Sequence, residues 1–176
     1  YLPNLKLEDA RSVFFKLRQI KTPEEIEKMR QANRANTAGI RAALDVIRGG
    51  VVEHDVLETF KNKLRETGCD WESAAFGAGP HSGESYNIAG DYILHTGDTA
   101  RFDVTAVHQF YFSDLSRCAT VGPPPDSVRR LYDALFQAQQ TMIATIQPGL
   151  PVKELFRTGV EIVKASGFPN YRRGNM

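Results

Sequence analysis

The chain has 176 residues, 41% of them apolar, with 22 basic side chains against 21 acidic ones. That is enough apolar material for one core of ordinary domain size. A formal charge of +1, with both signs interspersed, leaves no basic stripe for a phosphate backbone or an anionic lipid surface, so neither nucleic acid nor membrane is expected as a partner. No apolar run approaches a bilayer span, and Tyr1-Leu2-Pro3-Asn4 lacks the basic-then-apolar layout of a secretory signal. Cys69 and Cys118 cannot make a disulfide framework, and a cytoplasmic location is the expectation. The chain opens on Tyr rather than Met and stops at Arg173-Gly174-Asn175-Met176 without a helix end, so an excerpt of a longer polypeptide is expected.

Residues 1–21 mix charge with Leu5, Leu7, Val13, Phe14, Leu17 and Ile20 and read as a connector entering from a further, N-terminal domain. Thr22-Pro23-Glu24-Glu25 then predicts a helix start, with Thr22 as N-cap, Pro23 at the first helical position and Glu25 closing a capping box. Apolar residues at Ile26, Met29, Ala32, Ala35, Ile40, Ala43, Leu44 and Ile47 carry that helix to about residue 47, where Gly49-Gly50 stops it. A second helix spans Val56, Leu57, Phe60 and Leu64 and ends at Gly68, and Gly77 to Gly90 reads as an irregular, site-lining loop. From Tyr92 the period becomes two. Tyr92-Ile93-Leu94, Thr99 to Val107 and Phe110 to Val121 are expected as strands, with a turn at Thr96-Gly97-Asp98. A third helix follows through Val128, Leu131, Leu135, Met142 and Ile146, and a fourth from Pro151 to about Ser166. Two helices, antiparallel strands and two helices make an α+β layout, and a duplicated unit of that kind would need a second set of strands.

Asp103 and Asp114 are the informative pair. A hairpin turning at His108-Gln109 places them opposite each other, with Cβ atoms roughly 4.5–5.5 Å apart. Like charges so close are tolerated when one binds a proton, when Arg or Lys intervenes, or when cations sit between them. Two cations bridged by carboxylates would activate water and polarise a carbonyl together. In the plainer alternative one Asp points into solvent, the other caps a turn, and Arg117 serves as counter-charge. Against that, Asp is depleted in strand interiors, and the large apolar neighbours of both residues suggest burial.

Residues 20–176 resemble the catalytic domain of the pita-bread metallopeptidases, in particular the aminopeptidase P and prolidase branch. The resemblance is carried by Ile20-Lys21-Thr22-Pro23-Glu24-Glu25-Ile26, by Asp91 to Asp98 with Leu94 and Gly97-Asp98 inside it, and by Asp103 followed eleven residues later by Ser113-Asp114-Leu115-Ser116-Arg117. It implies an incomplete pita-bread (creatinase/aminopeptidase-like) domain over residues 22–176 and, in the full-length protein, hydrolysis of the peptide bond before proline. It further implies two divalent metal ions, with Asp103 binding one in bidentate fashion and Asp114 bridging both, and a histidine and two glutamates beyond completing the set. In relatives that histidine follows a segment similar to Tyr171-Arg172-Arg173-Gly174-Asn175-Met176, so the 176 residues by themselves are expected to be inactive. Oxygen ligands with a single imidazole suit manganese first, then cobalt or iron. Relatives often pair, so a homodimer acting on a proline-containing peptide is the implied assembly.

One position departs from the pattern. Relatives place a substrate-contacting histidine five residues before the residue matched by Asp91, and Tyr86 stands there. Tyrosine can donate to a carbonyl oxygen but titrates near 10, and the nearby His81 is the other candidate for the substrate side. The departure motivates one rival, a same-fold hydrolase of a non-peptide amide or amidine, creatinase-like or acting on a compatible solute; a second rival is a non-catalytic pita-bread domain kept as a binding module. His54, His95 and His108 are expected at the surface, Cys69 and Cys118 as small apolar fillers, and Trp71 in a core or interface. The glycines between 77 and 90 do not follow a strand and open a helix, so nucleotide binding is unsupported.

Overall fold

The computed structural model describes residues 8–172. The parts of the connector at residues 1–7 and of the terminal segment at 173–176 lie outside the described residues. Within the expected connector a helix forms, α1 (Arg11–Gln19), with none of its residues buried. Helix α2 (Pro23–Val46) starts as predicted: Thr22 accepts the backbone N–H of Glu25, and the Glu25 carboxylate accepts the N–H of Thr22. Helix α3 (Glu53–Glu66) buries Val56, Leu57, Phe60 and Leu64. The α2/α3 crossing is close. A Cβ added to Gly39 would stand 2.8 Å from the Phe60 ring, so the helices meet at a spot only glycine leaves open.

A three-stranded antiparallel sheet follows, ordered β1 (Asp70–Ala78), β2 (Thr99–His108), β3 (Tyr111–Thr120). Strand β1 falls partly in the stretch expected as loop. Its small residues Ala74, Ala75 and Gly77 carry little β propensity, and its register slips between Trp71 and Ala74, which hides the period of two. Tyr92-Ile93-Leu94, expected as a strand, forms only one bridge, Val52 to Ile93. The hairpin also turns later than expected, at Gln109-Phe110, both with positive φ (47° and 68°), as a two-residue type I′ turn requires.

Alternation along β2 decides which face is which. Ala100, Phe102, Val104 and Ala106 are buried beneath α2 and α3 with Phe76, Ala78, Phe60 and Leu94. Arg101, Asp103 and Thr105 take the opposite face. A polar pin joins α2 to the sheet: buried Asn36 donates through Nδ2 to the Val104 carbonyl (2.9 Å) and to Ser113 Oγ (3.0 Å). At the hairpin tip the Tyr111 hydroxyl donates to Glu25 (2.9 Å). Trp71 packs against the core with Lys61 and Arg65 over its ring.

Contacts divide the chain into two units, Tyr1–Gly122 and Pro123–Met176. The second contains α4 (Asp126–Thr145) and α5 (Val152–Ala165), close to the predicted spans. There Gly159 allows the close approach, since a Cβ would meet Met142 Sδ.

Candidate functional site

Asp103 and Asp114 share the face of the hairpin that turns away from α2 and α3. They are not directly opposite. Asp103 pairs with Ser116 and Asp114 with Thr105, which makes the two carboxylates diagonal neighbours roughly 7–8 Å apart at the backbone. A one-residue displacement of the turn shifts the pairing by two, which preserves parity, so the shared face survives. Expected burial does not. Asp103 is half-buried and Asp114 exposed, because their neighbours Phe102, Val104 and Ser113 are the ones that alternate to the inner face. Two unit charges about 7 Å apart in a water-like medium repel by only about 0.6 kcal/mol, so the pair does not by itself demand a cation.

Other features still favour an ion. Ser116 Oγ donates to Asp103 Oδ1 (3.1 Å), fixing that carboxylate on the strand that also carries Asp114. Arg117, the counter-charge of the plainer alternative, pairs with Phe102 and so has the opposite parity; its guanidinium donates to the Ser116 carbonyl. The donor set on the hairpin is two carboxylates, hard oxygens suited to a divalent cation. It is partial: among the described residues no group of three His, Cys, Asp or Glu is placed to hold a metal. The residues present therefore fit as a share of a metal site.

Beside this face lies the 79–90 loop, opened by a 3₁₀ turn over Gly79–Gly83. Sequence reasoning missed the residue that organises it. Glu53, in the first turn of α3, is fully buried, and its carboxyl accepts the backbone N–H of Ala78 (2.7 Å) and of Gly90 (3.2 Å), closing the two ends of the loop. His81 Nδ1 lies 3.1 Å from both Glu53 oxygens. A first-turn acid reads as a dipole partner in solvent, and nothing local signals its burial. His81 is thus committed through one ring nitrogen, whereas Tyr86 is 89% exposed.

The remaining expectations divide. His54 and His95 are exposed; His95 Nδ1 lies 3.3 Å from the Tyr92 hydroxyl, which donates to Asp98 (2.9 Å) and secures the predicted turn. His108 is half-buried, with Nδ1 3.6 Å from Cys69 Sγ. Cys69 is core filler, but Cys118 is exposed, because alternation puts it opposite Arg101 on the open face.

The profile of metallopeptidase family M24 matches residues 27–175. The chain belongs to this family. It is 31% identical over 159 residues to an Xaa-Pro dipeptidase of Pyrococcus furiosus, a match covering 88% of this chain and 45% of that protein. The chain spans less than half the length of the curated relatives it matches. Among solved structures, the prolidase from Pyrococcus furiosus superposes with a TM-score of 0.87 at 28% identity, over 93% of this chain and 49% of the other. The X-Pro aminopeptidase of Thermotoga maritima, at 22% identity and a TM-score of 0.84 over 91% of this chain and 46% of the other, shares the fold. The pita-bread fold expected from the motifs is therefore the fold of this M24 chain, with α1 added before the two expected helices. The family is one of metal-dependent hydrolases. No helix among the described residues is long and apolar enough to cross a membrane.

Proposed function

We propose that the full-length protein is a metal-dependent Xaa-Pro peptidase, of the aminopeptidase P or prolidase type, and that Asp103 and Asp114 supply two of the ligands of its metal pair. The observation that carries this reading is the common face of the two carboxylates, with Ser116 holding the first. When bound, the ions would supply Lewis acidity and a nucleophilic water at neutral pH. Manganese is the metal we assign, because the donors on the hairpin are hard oxygens.

This chain's own residues have definable tasks. The β2–β3 ladder fixes the backbone of both aspartates, so their spacing is set before any ion arrives. Ser116 restricts the rotamer of Asp103. On the substrate side we place Tyr86 and His81. The Tyr86 hydroxyl can donate to a peptide carbonyl, and with His81 Nδ1 turned to Glu53, a substrate contact from that ring falls to Nε2.

The test is calorimetric titration of the full-length protein with manganese, followed by assay on an Xaa-Pro dipeptide with creatine as the control substrate. Saturable binding that Asp103→Asn and Asp114→Asn each abolish, together with dipeptide cleavage, is expected. Ser116→Ala is expected to weaken binding about 10–100-fold, as loss of a ligand's supporting hydrogen bond does. No saturable binding would leave the protein a non-catalytic module, and turnover of creatine alone would reassign its substrate.

A further inference from the structure

The loop that carries Tyr86 is tied to the sheet and to α3 at residues 84, 85, 87 and 90, and the first two ties come from the strand that carries Asp103. Arg101 lies two residues before Asp103 on the same face of β2, and its Nη2 donates to two successive loop carbonyls, those of Glu84 and Ser85, the latter at 2.9 Å. Asn87 Nδ2 donates back to the Phe76 carbonyl (2.7 Å), and Glu53 receives the N–H of Gly90 at the loop's end. Gly77, across from Arg101 on β1, leaves room for this: a Cβ there would lie 2.5 Å from the His81 carbonyl oxygen, so the returning chain rests directly on the strand.

The residues between these ties do the opposite. Tyr86 and Ile88 are 89% and 88% exposed, on a loop that is tied on either side of each of them. An exposed aromatic and an exposed β-branched residue on a tethered segment are poorly explained by folding, which gains little from either. They are well explained by recognition, because a surface held in its bound geometry loses less entropy when a ligand docks.

We propose that Arg101 is a positioning residue which, through the carbonyls of Glu84 and Ser85, presents Tyr86 and Ile88 as the wall that receives the apolar side chain of the substrate beside Asp103. This rests on the peptidase reading and adds its specificity element. Arg101 acts through the loop and touches no reacting atom. Both bonds leave from one nitrogen, Nη2, so a single guanidinium NH2 group holds two adjacent carbonyls.

The experiment uses the full-length protein with manganese and an Xaa-Pro dipeptide series in which Xaa varies from Gly to Leu. Arg101→Met is expected to lower kcat/KM for the Leu substrate roughly three- to tenfold, mostly through KM, and to affect the Gly substrate least. Arg101→Lys should recover part of the loss. In a Tyr86→Ala, Ile88→Ala background the effect of Arg101→Met should vanish, since the residues it positions are gone. An independent readout needs no turnover: hydrogen exchange of residues 84–90 in the metal-free protein should quicken several-fold in Arg101→Met and stay unchanged in Tyr86→Ala. An equal Arg101→Met penalty in both backgrounds, or unchanged exchange, would overturn the assignment. A wild-type protein inert on every dipeptide would instead fall on the peptidase reading and on the substrate half of this proposal, while the exchange result still judges the tether.

Discussion

The hairpin that carries the two aspartates and the loop that carries Tyr86 adjoin on one sheet but are held by different forces. The hairpin is secured by a continuous ladder on its edges and by apolar side chains beneath, Phe102, Val104 and Ala106, all without exposed surface. The loop has one buried apolar residue, Ala89, and depends on polar ties from Glu53, Asn87 and Arg101. Apolar burial is distributed over many atoms and tolerates a local error; a tie made by one carboxyl or one guanidinium does not. The site thus joins a frame that should resist perturbation to a rim that single substitutions should loosen.

The largest expected effect tests the frame. Phe102→Ala removes a fully buried ring lying 4.5 Å from that of Phe76 and should cost about 3–5 kcal/mol. Urea unfolding followed through Trp71, the single tryptophan, measures it. A loss below 1 kcal/mol would mean that the apolar layer does not carry the hairpin.

Next comes the rim. Glu53→Gln keeps the volume but turns an amide donor toward backbone N–H groups that also donate, which should cost about 1–3 kcal/mol. Hydrogen exchange should locate the loss in residues 78–90 and leave β2 protected. Equal acceleration of both would erase the distinction between frame and rim.

The turn of the hairpin should respond in the favourable direction. Gln109 and Phe110 occupy left-handed conformations that cost L-residues roughly 1–2 kcal/mol each, and Phe110, 91% exposed, loses no packing when replaced. Converting the pair to Asn-Gly should raise stability by about 1 kcal/mol, read as an increase in Tm.

These residues also mark what the amino-acid sequence discloses. The capping box at Thr22, the apolar stripes of α2 and α3 and the common face of Asp103 and Asp114 are legible because each depends on spacing alone, and an error of one residue in the turn moves the pairing by two and so keeps parity. The exact partner of each aspartate is not, because His108-Gln109-Phe110-Tyr111 contains none of the glycine or asparagine that announces a type I′ turn. Glu53 and Arg101 are hidden for another reason. Their partners lie 25–37 and 16–17 residues away, in carbonyls and amides that every sequence possesses. Side-chain type shows what a residue can bind; only the fold shows which backbone group it meets.

The smallest effect concerns acid. The Glu25 carboxyl is held below its usual range first by the Thr22 N–H and then by the Tyr111 hydroxyl, so it joins the start of α2 to the tip of the hairpin. A carboxyl whose folded pKa is depressed binds protons more readily in the unfolded chain. Its contribution is therefore complete above the unfolded pKa and fades as pH falls through the ordinary carboxylate range toward the lower folded value. The stability difference between wild type and Glu25→Gln should accordingly be largest at neutral pH and shrink on acidification, and Tyr111→Phe should narrow the range over which it shrinks. A difference that is the same at pH 3 and pH 7 would mean that the amide serves as well as the carboxylate, and that hairpin tip and helix cap are joined by shape rather than by charge.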